Sequence, residues 1–192
     1  MLPSLPVNQT IVAIHAAPPR LVYVCAGAGS LALAWLHAVA GSSRTILEAR
    51  DVYAPRALAE LVADPSPQAV SATTALALAN WALQRARTLS EGDWPLLGVA
   101  CTAAIATDRV RQGADRAFVA VASPNHPWLG ALTLREPGAT LVADRVTQEA
   151  AISEFVISAI ARACGLEALP LSYGYALEQP DILPGCAYCE SE

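Results

Sequence analysis

Residues 21–36 read LVYVCAGAGSLALAWL, and this stretch decides the fold. Its first five residues are apolar, as in a buried strand, and an alanine- and leucine-rich segment follows a glycine turn. Gly27 and Gly29 favour a tight turn, and Ser30 is expected to cap the helix that follows. The free N–H groups and the dipole at such a helix start make a candidate anion site. The alternative is a strand-to-helix connection without a ligand, because GxGS lacks the full dinucleotide fingerprint.

The composition predicts a mostly buried α/β protein. Of the 192 residues, 54% are apolar and 15% are charged, so nearly every element should have little contact with water. Such a chain favours a sheet covered by helices on both faces. We therefore expect a three-layer α/β/α sandwich with a central mixed sheet in a single domain.

Strands and helices are expected to alternate along most of the chain. The predicted strands are 9–15, 21–25, 44–52, 95–101, 116–122, 129–135 and 139–143. Long helices are predicted at 71–90, with Ser71 or Thr73 as the cap, and from Thr147 to about Ala163. The expected organisation is one α/β domain over 1–165 and an irregular tail over 166–192.

Charge and residue usage exclude several function classes. The net charge of −5 and the pI near 5.2 argue against a nucleic-acid partner. No apolar run reaches the length of a membrane span, the N-terminus lacks a signal pattern, and five cysteines fit a reducing cytoplasm. All twelve basic residues are arginine. Mechanisms that use a lysine as a base, as a Schiff-base amine or as a phosphate-binding group are therefore excluded. The high apolar content predicts a homo-oligomer.

A second candidate segment, Cys101–Arg116, follows the predicted central strand. Ligands in open α/β sheets bind beyond the carboxyl ends of strands, where this loop should lie. Arginine beside hydroxyl groups is a plausible clamp for an oxyanion. The candidate ligand-binding residues are Thr102, Thr107, Asp108 and Arg109. The alternative is a solvated loop with an Asp108–Arg109 or Asp115–Arg116 contact.

Other residues have both a functional and a structural interpretation. Tyr53, at the end of a predicted strand, could orient a ligand through its hydroxyl or simply pack. Cys25 fits either a small core residue or a nucleophile. Cys186 and Cys189 form a CxxC pair in the tail, for which metal or redox chemistry stays open, and no metal site is predicted elsewhere.

Taken together, these segments resemble the C-terminal domain of the CinA competence/damage-inducible protein family, which includes nicotinamide mononucleotide deamidases. In the family, a Glu-Ser-Cys-Thr-Gly-Gly turn leads into a helix that ends with Val-Pro-Gly-Ser-Ser. This segment aligns without a gap to Val24–Ser43. Its Tyr-Ser-x-x-x-Lys pattern falls on Tyr53–Leu58, and its Val-Ser helix start on Val70-Ser71. Its Gly-Ile-Ala-Gly-Pro-Gly-Gly loop falls on 98–104. The resemblance covers about residues 20–163.

The departures from the family pattern bear on the function. Ala26 stands where the resemblance places the deamidase serine, and Leu58 stands where it places the catalytic lysine. Tyr53 is retained. The motifs RTILEA at Arg44–Ala49 and CTAAIATDR at Cys101–Arg109 are similar to a divergent branch of the family. The resemblance therefore implies a retained pocket without the Ser-Lys amidase reaction.

Three hypotheses about function follow. The first is a protein that binds a phosphate-bearing or nucleotide-like small molecule, such as a pyridine nucleotide, through Gly27, Gly29, Ser30, Tyr53 and the Thr102–Arg109 segment. The second is an enzyme of altered mechanism, with Ser30 or Cys25 as nucleophile and Asp108 or a histidine assisting. The third is a non-catalytic oligomerisation or regulatory domain. The residues leave the cofactor unknown.

Overall fold

The computed structural model describes residues 2–62, 68–109, 112–124, 127–139, 143–170 and 177–178. The helices are α1 Leu5–Ala16, α2 Ser30–Ala38, α3 Ser42–Thr45, α4 Pro55–Leu61, α5 Ala72–Leu89 and α6 Arg145–Ala163. The strands are β1 Arg20–Ala26, β2 Ile46–Asp51, β3 Leu96–Ala104, β4 Asp115–Ala122, β5 Trp128–Arg135 and β6 Leu177–Glu178. Within this part of the chain, no helix is both long and apolar enough to cross a membrane.

The strands form one mixed sheet in the order β2-β1-β3-β4-β5-β6. β1 pairs in parallel with β2 and with β3, whereas β4, β5 and β6 each pair antiparallel with their neighbours. The register of β1 and β3 places Cys25 opposite Cys101 and Ala26 opposite Thr102. The predicted central strand is therefore confirmed, and the carboxyl ends of three parallel strands share one edge.

Helices cover both faces of the sheet. On one face, apolar residues of α1, α2 and α6 pack against alternate residues of the strands, including Tyr23 and Val99. On the other face, α4 and α5 pack against the intervening strand residues, including Val24 and Ala100. This alternation follows from the two-residue period of a strand. The predicted three-layer α/β/α sandwich is confirmed.

The close packing of α5 on the sheet depends on one glycine of β3. A Cβ atom on Gly98 would lie 2.0 Å from the carbonyl oxygen of Ala79 and 2.3 Å from the backbone nitrogen of Leu83. Both neighbours are backbone atoms of α5, so they cannot move aside as a flexible side chain would. Glycine at this position lets the helix approach the strand directly.

The strand predicted at 9–15 is wrong, because these residues lie in helix α1. Pro6 occupies the first turn of that helix, where its missing N–H is tolerated. The buried residues recur with the helical period on one face: Val7, Ile11, Ile14 and His15. The apolar run was therefore one face of a helix, and not a period-two strand.

Most other boundaries agree with prediction to within a few residues. Ser71 caps α5, with its hydroxyl accepting from the Thr74 N–H at 3.1 Å. The predicted strand 139–143 includes 140–142, which lie outside the described residues, and so does most of the predicted tail. Two residues of that tail, Leu177–Glu178, pair with β5.

Candidate functional site

The candidate residues gather at the sheet edge where β2, β1 and β3 end. Tyr53 follows β2, the Gly27–Ser30 turn follows β1, and residues 105–109 follow β3. The first turn of α6 reaches the same edge. Chain topology therefore brings together segments that are far apart in sequence.

The two glycines of the turn are required by backbone conformation and packing. Gly27 has φ of 89° and Gly29 has φ of 97°, a region that other residues rarely adopt. A Cβ atom on Gly27 would lie 2.1 Å from the carbonyl oxygen of Ala103, and one on Gly29 would lie 2.6 Å from the Tyr23 hydroxyl. The hydroxyl of Tyr23 donates to the Gly29 carbonyl at 3.0 Å. These contacts explain the glycines without a ligand.

Ser30 does not cap α2 as expected. Gly29 is the N-cap residue, and Ser30 is the first residue of the helix. The Glu149 carboxylate of α6 lies at the turn instead. It accepts from the Gly29 N–H at 3.0 and 3.1 Å, the Leu31 N–H at 3.0 Å and the Ser30 hydroxyl at 3.0 Å. The anion-binding groups of the turn are thus engaged by an acidic side chain of the same chain.

Sequence reasoning missed Glu149 as part of this site. The residue lies 120 positions from Gly29 along the chain. Its only local signal was an acidic side chain near the start of a helix, which also suits the helix dipole by itself. The contact between Glu149 of α6 and the start of α2 can be recognised only once the topology of the fold is known.

Thr102 is fully buried and faces the α5 side of the sheet. Its hydroxyl donates to the carbonyl oxygen of Ser71, the residue that caps α5, at 3.4 Å. This places the Thr102 side chain beneath the surface, where it joins β3 to the start of α5.

Thr107 shapes the loop after β3. Its hydroxyl donates to the Arg109 carbonyl oxygen at 3.0 Å and accepts from the Arg109 N–H at 3.3 Å. The side chains of Asp108 and Arg109 are exposed. This local turn presents a carboxylate and a guanidinium group to solvent beside the sheet edge.

An open depression of about 640 Å³ lies at this edge. Three of the predicted residues line it together with the start of α6. The lining residues are Tyr53, Ala106, Thr107, Asp108, Ala143, Asp144 and Arg145. The structure thus brings Tyr53, Thr107 and Asp108 to one depression. The other predicted residues are not among its lining residues: Gly27, Gly29, Ser30, Thr102 and Arg109.

The first turn of α6 holds the wall of the depression through Ala106. Arg145 donates to the Ala106 carbonyl oxygen at 2.9 Å, and the Gln148 side-chain oxygen accepts from the Ala106 N–H at 2.7 Å. Asp144 caps α6 by accepting from the Thr147 N–H, which holds the pKa of Asp144 below its usual value. Both backbone polar groups of Ala106 are therefore satisfied by α6.

A buried polar network continues from this wall into the protein. The Gln148 amide donates to Asp115 at 3.0 Å, and Asp115 accepts two hydrogen bonds from Arg135, at 2.8 and 3.0 Å. Arg135 also donates to the Gly113 carbonyl at 2.6 Å. Asp115 therefore pairs with Arg135, and the network fixes both ends of the loop between β3 and β4.

The cysteines at this edge are poor nucleophiles. Burial raises the pKa of Cys25 to about 12, with Asp51 and Glu149 adding to the shift. Burial also raises the pKa of Cys101, which lies opposite Cys25 in the register. Both thiols are protonated at neutral pH, and this disfavours the Cys25 nucleophile hypothesis. Among the described residues, no group of three or more metal-ligating side chains is found.

The positions that the family resemblance assigned to the amidase pair are apolar and packed. Leu58 of α4 is 6% exposed and lies in the core cluster on the α4–α5 side of the sheet. Ala26, at the end of β1, packs against that same cluster. Neither position offers a nucleophile or a base.

Solved structures of competence/damage-inducible proteins share this fold. One from Agrobacterium tumefaciens has a TM-score of 0.61 at 20% identity, over 86% of this chain and 98% of that one. A CinA superfamily protein from Escherichia coli has a TM-score of 0.59 at 16% identity, over 85% and 92%. One from Enterobacter asburiae has a TM-score of 0.61 at 10% identity, over 82% and 96%. These neighbours define a CinA-like α/β fold, as predicted. No family model and no curated protein matches the sequence.

Proposed function

We propose that this CinA-like domain binds a phosphate-bearing, nucleotide-like small molecule in the depression between Tyr53, Asp108 and Arg145, without the Ser-Lys amidase reaction. The observation that carries the proposal is the position of the depression at the sheet edge where the parallel strands end, lined by the segments that follow β2 and β3. Open α/β sheets bind ligands at this edge. A pyridine nucleotide is the first ligand to test, because the resemblance points to nicotinamide nucleotides.

The lining residues, together with Arg109 next to Asp108 in the same loop, offer complementary groups to each part of a nucleotide. The exposed Tyr53 ring supplies a surface on which a base can stack. The guanidinium groups of Arg145 and Arg109 can pair with phosphate oxygens. The carboxylates of Asp108 and Asp144 can accept from ribose hydroxyls. We place the phosphate toward the arginines, because Glu149 already engages the Gly29 turn.

The absence of the amidase reaction is supported by packing as well as by residue type. An amide hydrolase needs a nucleophile and a base that removes its proton. Leu58 lies in the apolar cluster on the α4–α5 side of the sheet and Ala26 packs against it, so apolar side chains occupy both positions. The domain is proposed to keep the ligand site and not the reaction.

Binding is tested by thermal unfolding with nicotinamide mononucleotide, NAD and a panel of other nucleotides. At least one should raise the melting temperature of the wild-type protein, and Arg145→Gln and Arg109→Ala should reduce the shift. Arg87→Gln is the matched control, because Arg87 is exposed in the last turn of α5, at the opposite edge of the sheet. A panel without any shift would contradict the proposal.

A second candidate function is an enzyme in which Ser30 is the nucleophile. It is favoured by one observation, the hydrogen bond from the exposed Ser30 hydroxyl to the Glu149 carboxylate. The carboxylate would accept the hydroxyl proton as the serine oxygen attacks the amide carbonyl carbon. The C–N bond would then break with the proton passing to the departing nitrogen, and water would hydrolyse the acyl-serine ester. It ranks second because Glu149 also engages the N–H groups that would stabilise an oxyanion. Turnover of a nucleotide amide that Ser30→Ala abolishes, with binding retained, would establish it.

We also propose that the protein acts in the cytoplasm as a homo-oligomer. Leu2, Leu5 and Val12 are exposed at and near α1, which provides apolar surface for association. The third hypothesis is a non-catalytic oligomerisation or regulatory domain. It predicts a defined oligomer whose melting temperature does not respond to nucleotides. Light scattering coupled to size exclusion measures the first property, and the nucleotide panel measures the second.

A further inference from the structure

The Glu149 carboxylate fills the anion-binding turn at the start of α2. One oxygen accepts from Gly29, Ser30 and Leu31, and the other oxygen also accepts from Gly29. The donors are two backbone N–H groups at a helix start and one adjacent hydroxyl, which is the donor set that a phosphate or a carboxylate ligand uses. The acidic side chain therefore lies where the anionic group of a ligand would otherwise bind.

A fixed helix carries this carboxylate. Gln148, the preceding residue, is fully buried and holds both Ala106 and Asp115. Residues 150–161 that follow are all buried. Because α6 is anchored on both sides of Glu149, the carboxylate is presented to the turn by the core.

We propose that Glu149 is an internal anion that occupies the turn in place of a ligand phosphate or carboxylate and excludes external anions from it. A second anion at the same donors would face the carboxylate's charge and find the N–H groups already engaged. The turn then accepts an external anion only when Glu149 is removed or displaced.

This occupancy also couples the turn to the depression. Displacing Glu149 would disturb the start of α6, where Arg145 and Gln148 hold Ala106. A ligand phosphate is therefore directed to the Arg145 side. This last consequence rests on the proposed function, whereas the exclusion of anions from the turn does not.

The test uses inorganic phosphate as the probe and compares the wild type with Glu149→Ala. Phosphate at about ten times its Kd should raise the melting temperature of the variant by roughly 3–6 °C. The wild type and the control Glu167→Ala should shift far less, since Glu167 is exposed beyond the far end of α6. Glu149→Gln should respond less than Glu149→Ala, because its amide oxygen still accepts from the turn. Adding Ser30→Ala to Glu149→Ala should weaken the phosphate response.

A second measurement follows the amide NMR signals of Gly29 and Leu31 in the wild type during the same titration. They should not move at phosphate concentrations that saturate Glu149→Ala. A folded Glu149→Ala protein without a phosphate response overturns the proposal, and so do wild-type signals that shift on adding phosphate. If neither variant folds, the wild-type titration decides alone, with unmoved signals supporting the proposal. A phosphate response in Glu149→Ala beside a nucleotide panel without effect would reject the proposed function and keep this inference.

Discussion

The Gln148 side chain donates to the buried carboxylate of Asp115 at 3.0 Å while accepting from the Ala106 N–H at 2.7 Å. One amide thus joins α6, the start of β4 and the wall of the depression. Gln148 and Asp115 are both buried, so water cannot replace the contact between them when the amide is lost.

Replacing Gln148 by leucine should destabilise the protein strongly. The substitution removes one donor to the buried Asp115 carboxylate, which keeps its bonds to Arg135, and it takes the acceptor from the partly buried Ala106 N–H. Each polar group that loses a partner in this way costs about 1–3 kcal/mol. We expect a loss of roughly 2–5 kcal/mol in the free energy of unfolding, measured by urea denaturation. Gln84→Leu is the control, because Gln84 is exposed on α5 and its stability should change by less than about 0.5 kcal/mol. Equal effects of the two substitutions would contradict a structural role for the network.

Replacing Gly98 by alanine should force α5 away from the sheet. The new methyl group would lie 2.0 Å from the Ala79 carbonyl oxygen, a distance that no side-chain rotation can relieve. Overpacking of this kind costs about 1–3 kcal/mol and more where backbone must move. Thermal unfolding of Gly98→Ala should therefore show a clear loss of stability. Gly113→Ala is the matched control, since a Cβ atom there meets nothing within 4 Å, and its melting temperature should stay close to that of the wild type.

His15 should make the protein less stable as the pH falls. Its Nε2 lies 2.9 Å from the Leu36 carbonyl oxygen, which can only accept, so Nε2 carries the proton and Nδ1 accepts from the Thr45 hydroxyl. Burial lowers the pKa of His15 below 6.5, and neighbouring Arg44 and His37 add to this shift. The unfolded chain therefore binds a proton more readily than the folded one.

The stability from neutral His15 is complete above pH 6.5 and is lost as the pH falls from there through the folded-state pKa. The slope for one proton is at most about 1.4 kcal/mol per pH unit. His15→Gln should be less stable at pH 7.5 but less sensitive to pH between 7 and 5, as measured by urea denaturation. His37→Gln, which leaves the His15 imidazole in place, should retain most of the wild-type slope, reduced only by the loss of the contribution of His37 to the pKa shift of His15. An unchanged slope in His15→Gln would show that other groups cause the pH dependence.

The fold could be predicted from the sequence mainly where the spacing of apolar residues fitted either a strand or a helix, but not both. The strand–turn–helix at 21–36 and the central strand were recognisable because both were apolar runs bounded by glycine or proline. The segment 9–15 was not, since its apolar residues at positions 11 and 14 suit a helix face as well as a short strand. Only packing against α6 distinguishes the two.

The candidate site was predictable in its place along the chain but not in its contacts. Tyr53, Thr107 and Asp108 follow strand ends, and parallel strand ends meet at one edge of a sheet. Glu149 and Gln148 were not predictable, because their partners lie across the sheet edge from α6. The direction of the Thr102 side chain also depended on strand register, which composition does not give.

Alkylation with iodoacetamide tests whether Cys25 can act as a nucleophile. With a pKa of about 12, only about one thiol in 10⁴ is ionised at pH 8, and the side chain is 3% exposed. Mass spectrometry of peptides from the folded protein should show Cys25 unmodified, and the same peptide should be modified after unfolding in urea. Cys101, fully buried beside it, is the internal comparison and should behave in the same way. Rapid alkylation of Cys25 but not of Cys101 in the folded protein would reopen the Cys25 mechanism, because it would require an accessible thiolate at the end of β1.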